Sequence, residues 1–105
     1  MRFFKSNKGI TVPFKVTQGD GVTAKNLTGI TVKWYFKKRD NTVPTGSPIT
    51  GTVTDAVNGL VNFLIPANIF DTITDFDTCL NLNNGTTYNE DTEPFTVDVD
   101  KSPAT

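Results

Sequence analysis

Alternation of apolar and polar side chains is strongest over residues 27 to 36, Leu-Thr-Gly-Ile-Thr-Val-Lys-Trp-Tyr-Phe. Ile30, Val32, Trp34 and Phe36 share one face, and Thr31, Lys33 and Tyr35 share the other. Period-two alternation of β-branched and aromatic residues predicts a strand with one face in a core and one in water. The only Trp of the chain lies at its middle, where its large apolar area would dominate the core.

The same reading along the rest of the chain yields short strands separated by turns. Ile10, Val12, Phe14 and Val16 fall on one face of residues 10 to 16. Pro13 points the other way and cannot donate to a ladder, which predicts an edge strand or an interrupted one. Thr17 to Gly21 is a turn cluster. Residues 37 to 41 form a charged turn, and Pro44, Gly46 and Pro48 keep 42 to 48 a loop. Residues 49 to 54 read as one thin strand with Ile49, Gly51 and Val53 on a shared face, and Asn58-Gly59 as a turn. Val61, Phe63 and Ile65 are expected in the core, and Leu60 and Leu64 on a second face that is not fully exposed. Pro66 to Phe70 is expected to be a single helical or 3₁₀ turn plugging one end. Phe76, Thr78, Leu80 and Leu82 point one way, Asp77, Cys79 and Asn81 the other. Asn84-Gly85 predicts a two-residue hairpin into Thr86-Thr87-Tyr88. The last strand carries Phe95, Val97 and Val99 inward.

About seven short strands with regularly spaced turns imply an all-β fold, a sandwich or small barrel rather than βαβ units. A chain of 105 residues is one domain. Residues 1–9 read as a basic arm in which Phe3 and Phe4 either pair into a short first strand or stand exposed for a partner, 10–100 as the β domain and 101–105 as a polar tail. Composition agrees: Thr is abundant, at 18 residues, while helix formers are few.

Charge adds a second pattern. Residues 1 to 40 hold nine of the ten basic groups against Asp20 and Asp40, whereas 41 to 105 hold Lys101 against nine acids. Such asymmetry serves a nucleic-acid face, cross-strand ion pairing, or association of identical subunits. The basic residues are scattered among strand positions, which disfavours nucleic acid. No apolar run has signal-peptide or membrane-spanning length, so synthesis in a cytosol without export by an ordinary signal is expected, and no membrane partner.

Candidate chemistry is sparse. The chain has no His, which removes the usual general base, the serine and cysteine triads and most zinc sites. Its serines, Ser6, Ser47 and Ser102, lie in loops, and Cys79 has no base to activate it. Asp71, Asp75 and Asp77 lack the Gly and closing Glu of an EF-hand loop. No enzyme, no cofactor and no metal site is expected. The interaction candidates are Phe3 and Phe4 in the arm, Lys33, Tyr35 and Lys37 on the outer face of the central strand, and Tyr88 past the hairpin tip.

The order of motifs carries a resemblance. Gln18-Gly19-Asp20, Leu27-Thr28-Gly29-Ile30-Thr31-Val32, Gly51-Thr52-Val53-Thr54-Asp55, Asn58-Gly59-Leu60-Val61 and Asp91 to Val99 follow one another over most of residues 9 to 100. This resembles the immunoglobulin-like β-sandwich domains of tailed-phage virions, particularly the N-terminal domain of baseplate upper proteins. Where that family has a glycine-tyrosine pair, this chain has Thr74-Asp75-Phe76-Asp77, with Phe76 in place of the aromatic. The resemblance implies a single immunoglobulin-like antiparallel β-sandwich and a structural role in a tail or baseplate. It implies contacts with other virion proteins or copies of itself, and residence in the virion after synthesis in the bacterial host cytoplasm. A carbohydrate-binding or host-recognition module using exposed aromatics on a surface polysaccharide is the alternative, and a small nucleic-acid-associated barrel using Lys33, Lys37, Lys38 and Arg39 the next.

Overall fold

The computed structural model describes residues 1–101 and Pro103. Ser102 and most of the tail expected at 101–105 lie outside the described residues. Among the described residues nine strands follow in order: β1 (Arg2–Phe4), β2 (Thr11–Lys15), β3 (Thr31–Lys38), β4 (Ile49–Thr50), β5 (Thr52–Asp55), β6 (Leu60–Leu64), β7 (Thr74–Asn83), β8 (Asn89–Asp91) and β9 (Phe95–Asp100). They form two sheets, one ordered β1-β9-β7-β3-β4 with β8 on β7, the other β2-β6-β5. Every pairing is antiparallel except β1 on β9. The chain is an all-β sandwich of immunoglobulin-like arrangement, three strands packed on a larger sheet centred on β7 and β3.

Alternation decides what lies between the sheets. From β3 come Val32, Trp34 and Phe36, from β7 Phe76, Thr78, Leu80 and Leu82, from β6 Val61 and Phe63, from β9 Val97 and Val99. Trp34 is fully buried, with Phe14 5.0 Å and Phe63 5.4 Å away between ring centroids. Pro13 sits in β2, an edge strand, where its missing N–H costs no ladder bond. The entry to β3 has a physical reason as well. Leu27 is buried, its carbonyl accepts the Ile30 N–H at 2.9 Å, and Gly29 takes the positive φ of 74° that closes this turn. Ala67 to Phe70 form a turn that is neither helical nor 3₁₀ as expected, because Asn68 takes a positive φ of 77°, but Ile69 and Phe70 are buried there as a plug.

Three further local expectations change. Residues 49 to 54 are two strands: β4 pairs with β3 in the large sheet, β5 with β6 in the small one, and Gly51 is the crossing point. A Cβ there would lie 2.6 Å from Val61 Cγ2 and 2.8 Å from Phe63 Cε1, so the crossing needs Gly for space. The Asn84-Gly85 turn is a five-residue loop, 84 to 88, because the register pairs Asn83 with Asn89. The following strand therefore begins at Asn89 and excludes Thr86-Thr87-Tyr88. Leu64 is exposed on the outer face of the small sheet and Leu60 is partly so. Of the two readings of the N-terminal arm, the short first strand is the one observed: it enters the fold as β1, with Phe3 stacked on Phe70 at 4.6 Å.

Candidate functional site

The outer face of the large sheet is built by register. Within β3 and β7, Lys37 lies opposite Asp77, Tyr35 opposite Cys79, Lys33 opposite Asn81 and Thr31 opposite Asn83. These are the polar half of the two alternations, so all eight point away from the core. Tyr35 is 42% exposed on this face.

A groove of about 540 Å³ crosses the face. Tyr35, Cys79 and Asn81 line it centrally, Val43 and Pro48 on the β3 side, Asp91 and Pro94 on the β7 side. Its shoulders are held by hydrogen bonds. Ser47 Oγ accepts the Phe36 N–H at 2.9 Å, tying the 42–48 loop to β3. Thr92 sits in the gap between β8 and β9, its N–H donating to the Leu80 carbonyl and its Oγ1 accepting the Leu80 N–H, both at 2.9 Å. Asn81 is fixed too, donating from Nδ2 to Asn89 Oδ1 at 2.7 Å and Asp91 Oδ1 at 2.8 Å. A smaller hollow of about 310 Å³, between Thr31, Lys33, Asn83 and Gly85, shares Tyr35 and Asn81 with the groove.

Charge is unevenly spread over this face. Asp75 and Asp98 lie directly opposite each other on β7 and β9. Their shared hydrogen bond, partial desolvation and the Asp98 charge raise the Asp75 pKa, while Arg39, 3.7 Å away, opposes the rise. Arg2 pairs with Asp100 at 3.0 Å and Lys25 with Glu90 at 3.8 Å. Among the described residues all three ion pairs join a base from residues 1 to 40 to an acid from the other part of the chain. The topology thus puts the charge asymmetry of the sequence to use: β1 lies beside β9, the end of β3 beside β7, and the loop before β3 brings Lys25 to β8.

Of the six interaction candidates, the structure brings three together: Lys33, Tyr35 and Lys37, on one face of β3. Phe3 is a core residue, 9% exposed, so it offers nothing to a partner. Phe4 is partly exposed on β1, at the far edge of the same sheet, with its N–H held by Asn7 Oδ1. Tyr88 packs half-buried against the core under the Lys25 ammonium, 4.9 Å from the ring centroid. The sequence reading missed Val43, Pro48, Asn81, Asp91 and Pro94. Their alternation gave no hint of a shared groove, which arises only when β3 and β7 pair and two loops flank them. Cys79 lies in the groove, but burial and, less, the Asp91 charge push its pKa up, so it stays a thiol at neutral pH. Among the described residues no three metal-ligating side chains gather into a site.

What the face offers is contact chemistry on a rigid support: an aromatic ring, oriented amides, and separated cations and carboxylates. The fold and this face define an immunoglobulin-like β-sandwich with one exposed, grooved sheet. No protein-family model matches the sequence, and no curated protein is similar to it.

Proposed function

We propose that the chain is a structural or assembly domain of a tailed-phage virion, a tail or baseplate component that works through protein–protein contacts. The observation that carries this reading is Tyr35, exposed mid-strand beside a preformed groove whose shoulders are tied to β3 and β7. Aromatic residues in such positions anchor protein contacts at little conformational cost. The order of sequence motifs supplies the virion context, and the immunoglobulin-like sandwich agrees with it.

The test places a photo-cross-linking side chain at position 35 during phage propagation in the host. Covalent adducts with tail or baseplate proteins, or with the chain itself, are the expected result. Adducts with none of these, or a reading frame outside any phage structural gene block, overturn it. A glycan-binding reading has one observation in its favour, the fixed Asn81 amide beside Tyr35, which suits hydroxyl recognition under a stacked sugar ring. Retention of the protein on host cell-wall polysaccharide, lost with Tyr35→Ala, would replace the first reading with the second.

A further inference from the structure

We propose that the occupant of this face is a second copy of the same chain, packed outer sheet to outer sheet about a two-fold axis running along the strands between β3 and β7. The proposal rests on the reading of this face as a contact surface.

Charge changes sign from strand to strand across the face. β3 presents Lys33 and Lys37, whereas β7 presents Asp77 and Asp75, with Asp98 beyond on β9. Neighbouring strands are about 4.8 Å apart and stacked sheets about 10 Å apart, so this stripe is fine enough to select one mutual orientation. A two-fold axis across the strands would lay β3 on β3 and bring Lys33 near Lys37 of the other copy, a like-charge contact that costs affinity. An axis along the strands exchanges β3 and β7 instead. Because Lys37, Tyr35 and Lys33 are level with Asp77, Cys79 and Asn81 within one chain, that rotation sets each above the same residue of the other copy. Lysine then meets aspartate twice, as an isologous contact requires.

Shape follows the same operation. Tyr35 of each copy lies above Cys79 of the other, inside the groove, so each groove receives an aromatic ring. The apolar shoulder of Val43 and Pro48 comes against Pro94 of the second copy, closing the rim. Aligned packing of this kind is how the two sheets of a sandwich meet. Four strands and six residues make a face of roughly 19 by 20 Å, about 760 Å² over the two copies, below the standard size of a stable interface and fitting a weak, transient contact. The dimer is therefore reversible and dependent on concentration.

Sedimentation equilibrium on the full chain at low salt tests this. The wild type is expected to shift from one-chain to two-chain mass as its concentration rises to about 1 mM. Lys37→Asp and Asp77→Lys should each stay at one-chain mass, since each sets like charges against each other across the axis. An equimolar mixture of the two should recover the two-chain mass, because opposite signs then meet at both contacts. Melting curves check that both variants fold, and Tyr35→Arg supplies a third variant expected to abolish the dimer. A wild type that stays monomeric at about 1 mM, a swap variant that dimerises like the wild type, or a mixture that remains monomeric overturns the proposal. A monomer that still cross-links through position 35 to another virion protein rejects the second copy alone. A monomer that cross-links to nothing rejects the contact reading with it.

Discussion

Phe14 of β2 stands edge-on against Trp34 of β3, ring centroids 5.0 Å apart and planes 82° apart. This contact joins the two sheets at the centre of the sandwich, and Phe63 adds a second edge at 5.4 Å. Trp34→Ala is expected to cost roughly 3–5 kcal/mol, by the cavity it leaves among rings that have no room to collapse. The indole Nε1 is buried without an acceptor. Trp34→Phe removes that unpartnered donor along with some volume and should cost much less. Denaturant melts of both variants decide this, and equal losses would contradict it.

Gly51 is where the chain leaves one sheet for the other, and the space for a side chain is taken by Val61 and Phe63, both fully buried. Gly51→Ala should destabilise by about 1–3 kcal/mol through overpacking. A thermal melt unchanged from the wild type would show that the crossing can widen freely.

Asp75 faces Asp98, and its raised pKa means that the folded chain holds this proton more tightly than the unfolded one. Stability from this group is full below the ordinary value of 3.8 and is lost as pH rises through the higher folded value. Asp75→Asn should therefore raise the melting temperature at neutral pH, and the gain should vanish in acid below that ordinary value. A variant less stable than the wild type at neutral pH would mean that the Arg39 contact outweighs the repulsion.

Asp20 behaves in the opposite sense. The Thr23 hydroxyl, then the Val22 and Thr23 N–H groups, donate to its carboxylate and lower its pKa to about 2. Its contribution is full above the ordinary 3.8 and is lost as pH falls through about 2. A carboxyl-detected NMR titration should place its midpoint there, and Thr23→Ala should move it upward. The side chain is fully exposed, so the consequence for overall stability is small.

Asn84 organises the loop between β7 and β8. Its Oδ1 accepts the N–H groups of Thr86, Thr87 and Tyr88 at 2.9–3.0 Å, and its Nδ2 donates to Thr87 Oγ1 at 2.9 Å. Asn84→Ala should cost about 1 kcal/mol, as the loss of a capping side chain does. Hydrogen exchange at Thr87 and Tyr88 should accelerate, and protection unchanged at both would refute the cap.

Alternation along the chain was enough to show which side of each main strand is wet. Val32, Trp34 and Phe36 on one strand and Phe76, Leu80 and Leu82 on another are buried as their alternation requires, because the pleat is local and its period of two survives any topology. It also located Tyr35 between Lys33 and Lys37 on an outer face. Pairing was beyond its reach. That Asp75 faces Asp98, that Lys37 is level with Asp77, and that residues 49 to 54 are shared between two sheets depend on which strands become neighbours. Phe3 shows the same limit: a short apolar arm has no pattern of its own, and only the ring of Phe70 made it core. The groove belongs to the tertiary structure entirely, since loops at 42–48 and 92–94, far apart in the chain, flank the same two strands. Local alternation fixes the direction of a side chain; what stands opposite it is set by long-range pairing.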